Sequence, residues 1–323
     1  MERIGIGFNP NITPEETAEY ARLAEVNGYE SFWVHEQPFI GDAISLLCIG
    51  IMATSRIKLG SGCISVATRH PLLATSTFVS LSNMSHGRVT MGVGLGGFPW
   101  LPKIGISVFP VSETHPVKRI MEYLTIAKAL LNGESVTLQG EFYKVTDIKL
   151  DTKPAAKPKL YLAALGAKLL HIATDFVDGV IVSPALMTPE TTEEKIQSLR
   201  TDTVDIASYV LTSVSKDSAK AKQVMKSYYF LIYQVAEVIQ PEILEPYDVK
   251  ESSLVDVKKA WLKNDLAAAG RAMPDELVEA LTLTGSSDHC LDRLREYRKV
   301  GVELPIIMPI GDIQATIEAF RQS

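Results

Sequence analysis

The sequence has few of the residues and patterns that mark several large protein classes. Its 323 residues contain three widely spaced cysteines, Cys48, Cys63 and Cys290, which excludes a disulfide framework and a CxxC metal site. The histidines have no metal-ligand spacing, so we expect no bound metal. No G-x-S-x-G or Walker-type motif is present, which excludes the hydrolase and nucleotide-binding classes that depend on them.

Charge and hydropathy exclude further partners. The net charge is −6 and no long basic run occurs, so we expect neither nucleic-acid nor membrane binding. No apolar run reaches about 18 residues, the length needed to cross a bilayer. Met1-Glu2-Arg3 leads directly into a strand pattern rather than a signal peptide, and we expect a cytoplasmic protein.

The stretch 57–97 contains the clearest structural unit. Two short apolar runs, 57–59 and 89–93, flank a segment at 71–84 whose apolar residues fall at helical spacing. Because both runs are continuously apolar rather than alternating, they predict strands buried on both faces of a parallel sheet. Small and polar residues follow each run, at the carboxyl ends where such sheets bind ligands.

The same unit recurs along the chain. We count eight strands of this buried parallel type, at residues 3–8, 29–35, 57–59, 89–93, 159–163, 180–182, 204–214 and 304–308. The count and the length predict an α/β fold, a (β/α)8 TIM-type barrel that forms a single domain over residues 1–323. A doubly wound sheet fits less well, because no G-x-G-x-x-G motif follows the first strand.

Three insertions interrupt the predicted repeat. A proline-rich and aromatic stretch at about 98–116 predicts a long loop over the mouth of the sheet. Alternating polarity at about 135–150 predicts an inserted hairpin. A stretch at about 218–281 is helical in pattern and too long for one crossover, so it predicts a helical excursion before the last strand and helix unit.

Four motifs carry a resemblance to a known group. They are GYESFWV at 28–34, LGSG at 59–62 with RHP at 69–71, SHGR at 85–88 with GVG at 92–94, and AALG at 163–166 with DGV at 178–180. In this order they resemble the bacterial-luciferase-like superfamily of flavin and deazaflavin enzymes. Within it, the chain is most similar to the methylenetetrahydromethanopterin reductase group, which uses coenzyme F420, a 5-deazaflavin. The resemblance covers nearly the whole chain.

The resemblance implies a set of cofactor-binding residues. Members of the superfamily have a non-prolyl cis peptide behind the central ring of the flavin, which the spacing to 69–71 places at Gly62-Cys63, with Ile64 next to the ring. An ordinary trans strand end with a buried cysteine is the alternative. The resemblance also implies that Ser183 and one strand-to-helix turn contact the cofactor, and that turn consists of Ala163, Ala164, Leu165 and Gly166.

The end of the second strand supplies the candidate catalytic residue. Relatives have an acid followed by histidine there, and this chain has Glu36 followed by Gln37. Glu36 keeps the acid, whereas Gln37 cannot relay a proton as an imidazole can. His35 is one position out of register, and by strand alternation it points away from the side that Glu36 faces.

Two departures from the family pattern concern the proton donor. The resembling reductases have a glutamate where Gly7 stands, and sugar-phosphate dehydrogenases of the superfamily have one where Gly97 stands. Both acids are candidates for handling a substrate proton. Their absence predicts extra space over the cofactor face, which Phe98, Trp100 and Phe109 would line, or alternatively these aromatic residues pack as a lid.

These features lead to three functional hypotheses. The first is an oxidoreductase that transfers hydride between coenzyme F420 and an organic small molecule, with Glu36 at the reacting centre. The second is an FMN-dependent monooxygenase supplied by a partner flavin reductase. The third is a non-catalytic cofactor-binding barrel. Relatives are dimers or tetramers, so we also expect a homodimer or homotetramer, with the apolar helix at 43–52 as a candidate interface.

Overall fold

Eight parallel strands form the centre of the protein, described here from a computed structural model. In the order of their pairing they are β1 (Gly5–Phe8), β2 (Ser31–Val34), β3 (Lys58–Ser61), β5 (Val89–Gly94), β8 (Lys159–Ala163), β9 (Gly179–Ile181), β10 (Asp205–Val214) and β12 (Leu304–Pro309). Strand β12 pairs with β1 through Gly5 and Ile306, which closes the barrel. The predicted TIM-type barrel is confirmed.

The structure describes residues 2–96, 101–107, 111–164, 166, 169–171, 174–182, 186–199, 203–239, 244, 246–247, 249 and 251–322. The α-helices in these ranges surround the strands, and they are α1 (Pro14–Val26), α2 (Ala43–Ala53), α3 (Pro71–Ser85), α4 (Val111–Thr114), α5 (Pro116–Leu131), α6 (Pro189–Gln197), α7 (Ser218–Lys226), α8 (Tyr229–Glu237), α9 (Glu251–Leu262), α10 (Leu266–Ala272), α11 (Asp275–Leu281), α12 (Ser287–Lys299) and α13 (Ile313–Ala319). No helix within the described ranges is both long enough and apolar enough to span a membrane.

Local sequence signals set the first helix. The Thr13 hydroxyl accepts from the Glu16 backbone N–H at 3.1 Å, and the Glu16 carboxylate accepts from the Thr13 backbone N–H at 2.8 Å. This capping box satisfies two N–H groups that the helix itself cannot pair. Pro14 occupies the first helical position, where its missing N–H costs nothing.

The predicted insertions are found with modifications. The hairpin consists of β6 (Val136–Gln139) and β7 (Lys144–Ile148), which pair antiparallel as expected. The stretch predicted as a long loop contains a 3₁₀ helix at Leu101–Ile104 and the one-turn helix α4. The excursion contains α7 to α11, and a strand missed from the sequence, β11 (Leu283–Gly285), follows it. A two-residue strand, β4 (Ile64–Ser65), was also missed.

Large side chains from a few strands fill the inside of the barrel. The buried interior cluster comprises Trp33, Tyr161, Ala163, Ile181, Ala207, Tyr209, Leu304 and Ile306. Trp33 lies beside Gly60 on the neighbouring strand, and a Cβ at Gly60 would stand 2.5 Å from the indole ring. Tyr161 has the same relation to Gly179. The interior is therefore a packed core in which large rings from one strand occupy the space left by glycines on the next.

Candidate active site at the carboxyl end of the barrel

A backbone bulge follows strand β3 at the carboxyl end of the barrel. The peptide bond between Gly62 and Cys63 is cis, as the family resemblance implied. The Gly62 N–H donates to the Val34 carbonyl at 2.8 Å, and the Glu36 N–H donates to the Cys63 carbonyl at 3.3 Å. These bonds hold the bulge against the end of β2, and β4 then pairs with β5.

Glu36 fixes the segment that follows the bulge. Its carboxylate accepts from the Ser65 backbone N–H at 2.9 Å and from the Arg69 guanidinium. Arg69 also donates to Asp42 at 2.6 Å. Both Glu36 oxygens thus accept hydrogen bonds from neighbours, and through these bonds Glu36 positions residues 62–65. A catalytic role for Glu36 stays a prediction.

Cys63 and Ile64 face different surroundings. Burial raises the pKa of the Cys63 thiol to about 12, and the nearby Glu36 charge adds to this effect, so the thiol stays protonated at neutral pH. The Ile64 side chain is fully buried in the apolar layer between the strands and the helices. A ligand at the barrel mouth would therefore meet the backbone of Ile64 rather than its side chain.

The turn after β8 combines small side chains with open space. Ala163 belongs to the interior cluster, whereas Ala164 packs in the outer apolar layer. The Gly166 carbonyl accepts the N–H groups of Leu169 and Leu170, both at 3.1 Å, which starts a helical turn. A Cβ at Gly166 would meet no atom of the described residues within 4 Å. Two other predicted cofactor contacts, Leu165 and Ser183, lie outside the described residues.

Gly7 does not leave the free space that the sequence predicted. A Cβ at Gly7 would stand 2.6 Å from Cε1 of Tyr209 and 3.1 Å from Cγ2 of Ile306. The tyrosine ring, which reaches across from β10, occupies the volume where relatives have a glutamate. The expectation of extra space is therefore wrong on the β1 side. The expectation of extra space also depended on four residues that lie outside the described ranges, namely Gly97, Phe98, Trp100 and Phe109.

His35 and Glu36 face opposite sides, as strand alternation requires. The inward residue is His35, whose ring centroid lies 4.4 Å from that of Tyr209. From the sequence we expected Glu36 to face the reacting centre and His35 to face the other side. Alternation gives the relation between neighbours, but it does not say which of the two faces the ligand.

A chain of side-chain hydrogen bonds at the mouth was not predicted. The Gln37 amide donates to the Asn9 carbonyl oxygen at 3.1 Å, and the Asn9 amide donates to the Tyr228 hydroxyl at 2.8 Å. Burial raises the pKa of Tyr228 to about 12. The bonds connect the ends of β1 and β2 to the helical excursion, and no local sequence pattern indicates this long-range contact.

Comparisons with known proteins agree with this geometry. The chain is 28% identical to the 5,10-methylenetetrahydromethanopterin reductase of Archaeoglobus fulgidus, with 96% of this chain and 94% of that protein covered. It is 30% identical to the F420-dependent glucose-6-phosphate dehydrogenase of Nakamurella multipartita, with 59% and 56% covered.

Solved structures and a family model extend the comparison. The structure of the coenzyme F420-dependent tetrahydromethanopterin reductase from Methanopyrus kandleri matches with a TM-score of 0.88 and 25% identity, covering 99% of this chain and 97% of that one. An FMN complex of a Baeyer-Villiger monooxygenase from Pseudomonas putida shares the fold, with a TM-score of 0.69 and 14% identity. A family model described as luciferase-like monooxygenase matches residues 3–304. The chain therefore belongs to the luciferase-like monooxygenase family.

Proposed function

We propose that this protein is an oxidoreductase that uses coenzyme F420 to transfer hydride to or from an organic small molecule. The observation that carries the proposal is the extent of the likeness to reductases, which covers 96% of the chain in sequence and 99% in structure. Among flavin-type cofactors we propose the deazaflavin, because two of the relatives are named as F420-dependent. They are the reductase of Methanopyrus kandleri, matched over 99% of this chain, and the dehydrogenase of Nakamurella multipartita, matched over 59%.

The residues at the mouth fit a flat ring system. Gly62 offers its backbone, because the Tyr209 hydroxyl fills the space that a side chain would take. Ala163 is small, and Ala164 offers its backbone because its side chain packs in the outer layer. A Cβ at Gly166 would meet no atom of the described residues within 4 Å. When bound, the deazaflavin supplies two-electron hydride chemistry, and the protein supplies binding and orientation. We propose that these residues, with Ser183 and Leu165, hold the ring, and that Glu36 keeps the bulge in place beneath it.

The substrates of the relatives do not transfer to this chain. The position where resembling reductases have a glutamate is Gly7, and Tyr209 fills the adjoining space. The group that handles the substrate proton must therefore differ from theirs. We propose that the organic substrate of this protein differs from those of the relatives.

Cofactor titration tests the proposed function. Purified protein is titrated with F420 and with FMN while fluorescence quenching is followed. We expect micromolar binding of F420 and none of FMN. Binding of FMN alone would replace the proposal with the monooxygenase hypothesis. Failure of both would contradict all three hypotheses, because each of them requires a bound flavin-type cofactor.

A variant localises the binding to the proposed mouth. Gly166→Trp adds bulk where a Cβ would meet no atom of the described residues within 4 Å, so we expect a melting temperature close to that of the wild type and weaker cofactor binding. Gly166→Ala is the matched control and should bind nearly as the wild type does. An unchanged affinity in the tryptophan variant would place the cofactor elsewhere.

Assembly also stays a proposal. Helix α2 exposes Met52 with 77% of its surface accessible, which suits a contact with a second copy of the chain. We propose a homodimer or homotetramer, and light scattering at micromolar concentration measures the mass directly. A partner flavin reductase is required only if FMN is the cofactor.

A further inference from the structure

Two buried polar atoms beside the bulge have no hydrogen-bond partner among the described residues. They are the Tyr209 hydroxyl oxygen and Nε2 of His35. Their rings lie in contact, with centroids 4.4 Å apart and planes tilted by 43°. Because an unpaired buried polar group costs stability, native proteins rarely keep one without a use for it. Among the buried polar atoms without a partner in the described residues, these two belong to rings in contact at the ligand end of the barrel, which indicates a binding site.

The Tyr209 hydroxyl lies directly against the bulge. A Cβ at Gly62 would stand 1.6 Å from this oxygen, so only glycine fits at that position. The tyrosine ring also fills the space beside Gly7. The side chain thus crosses the barrel from β10 and brings its hydroxyl to the peptide that, under the proposed function, supports the cofactor.

His35, Tyr209 and the neighbouring Cys63 are uncharged at neutral pH. Burial lowers the pKa of His35 to about 4 and raises that of Tyr209 well above 10. The Cys63 thiol beside them is also protonated, because burial raises its pKa. The Glu36 carboxylate, which follows His35 in the chain, is already bonded to Arg69. No free cation among these groups would compensate a carboxylate or a phosphate.

We propose that the Tyr209 hydroxyl and His35 Nε2 bind an uncharged carbonyl or hydroxyl oxygen of the ligand at the Gly62-Cys63 bulge. This rests on the proposed function and deepens it, because it assigns the site to neutral carbonyl compounds and their alcohols rather than to anionic substrates. The tyrosine hydroxyl is the donor to a carbonyl oxygen. The oxygen belongs either to the cofactor ring or to the substrate, and the experiment separates these sources.

The experiment compares three variants that each remove one buried hydroxyl. Tyr209→Phe removes the unpaired hydroxyl at the bulge. Ser208→Ala removes a buried hydroxyl that also has no partner among the described residues. Ser208 directly precedes Tyr209, so alternation places it on the opposite face of β10. Tyr297→Phe removes a hydroxyl that donates to the Met187 carbonyl at 2.7 Å. Melting temperature without ligand and dissociation constants for F420 and FMN are measured for each.

A ligand-binding role predicts a specific combination of results. Tyr209→Phe should melt a few degrees above the wild type, and its cofactor dissociation constant should rise roughly tenfold if the cofactor supplies the oxygen. Ser208→Ala should also melt higher, with unchanged cofactor affinity. Tyr297→Phe should melt lower, again with unchanged affinity. His35→Phe keeps a ring against Tyr209 and should weaken the same ligand.

The second source is tested on cofactor-loaded protein. Acetone and acetate have nearly the same size and differ in charge, so they serve as neutral and anionic probes. If the substrate supplies the oxygen, acetone should raise the melting temperature of the wild type but not of Tyr209→Phe, and acetate should raise neither.

The proposal is overturned on its own if the wild type binds a cofactor while Tyr209→Phe binds it equally well and responds to acetone as the wild type does. A response to acetate equal to that to acetone overturns the assigned substrate class. A wild-type protein that binds neither cofactor overturns both this proposal and the proposed function.

Discussion

At the amino-terminal end of the barrel all three nitrogens of the Arg3 guanidinium donate to carboxylates, whereas at the carboxyl end buried polar atoms of Tyr209 and His35 have no partner among the described residues. Arg3 donates to Glu30 at 2.7 and 3.0 Å and to Asp205 at 2.6 and 2.7 Å. The Tyr161 hydroxyl also donates to Asp205. Burial alone would raise the pKa of Asp205, but the bonds from Arg3 and Tyr161 outweigh it and hold the pKa below its usual range.

The carboxyl end has the opposite character. Tyr209 and His35 each bury a polar atom without a partner among the described residues. The tyrosine side chain fits because glycine stands at positions 7 and 62, where a Cβ would clash with it. In barrels of this type, polar groups at the amino-terminal face contribute to stability, and groups at the carboxyl face bind and react. The contrast between Arg3 and the Tyr209–His35 pair thus separates a residue that stabilises the fold from residues kept for a ligand.

The largest effect is expected from Arg3→Met. The change leaves the Asp205 carboxylate, whose side chain is 9% exposed, without its main partner. We expect the free energy of unfolding to fall by about 3 kcal/mol, measured by urea denaturation at pH 7. Lys58→Met is the control, because the ammonium group of this half-exposed lysine is paired with Glu30 alone among the described residues, and the change should cost less than about 1 kcal/mol. Equal losses in the two variants would contradict the ranking.

A smaller effect is expected from Gly7→Ala at the other end. The new Cβ would stand 2.6 Å from the Tyr209 ring, and such overpacking costs about 2 kcal/mol. In a Tyr209→Leu background the same change should cost less, because the ring is gone. A double-mutant cycle by urea denaturation measures this coupling. Strictly additive losses would show that the tyrosine does not occupy the space beside Gly7.

For a change of one pH unit, the smallest effect is a pH dependence that distinguishes the two ends. The folded pKa of His35 is about 4, against about 6.5 when unfolded, so the unfolded chain binds more protons between these values. Stability should therefore fall as the pH drops from 6.5 towards 4, by at most about 1.4 kcal/mol per pH unit. Asp205 has a lowered folded pKa, so its contribution is lost only below its unfolded value of about 3.9.

His35→Phe isolates the histidine contribution. Its thermal stability should lose the slope between pH 6.5 and 4.5 while keeping the steeper loss at lower pH. A slope that persists unchanged in this variant would mean that another group titrates in that window.

Most of the fold could be predicted because the eight barrel strands are continuous apolar runs with helical segments between them. The two strands that were missed, β4 and β11, have two and three residues. Strands this short leave no periodic signal of their own, and they form because neighbouring strands offer unpaired backbone groups. Strand β9 is equally short, but it was predicted because its apolar run at 180–182 falls at a regular place in the repeat of strands and helices.

The site was less accessible to sequence reasoning. The position of the cis peptide at Gly62-Cys63 came from resemblance to a family, not from any local pattern. Tyr209 could not be singled out, because one tyrosine within an apolar strand is typical of a core. Its importance follows from contacts with Gly7, Gly62 and His35, which lie on three other strands or strand ends and are brought together only by barrel closure.

The ten-residue strand β10 has a consequence for how such proteins diversify. Its first part pairs with β9 through Ala207 and Ile181, and its last part pairs with β11 through Val214 and Gly285. The chain therefore leaves β10 and returns beside it, about 5 Å away, so the segment 215–282 has neighbouring ends. The entropy of closing such a segment grows slowly with its length. The sequence and the length of this segment can therefore change, and with them the residues that cover the mouth, while the register of the barrel strands stays unchanged.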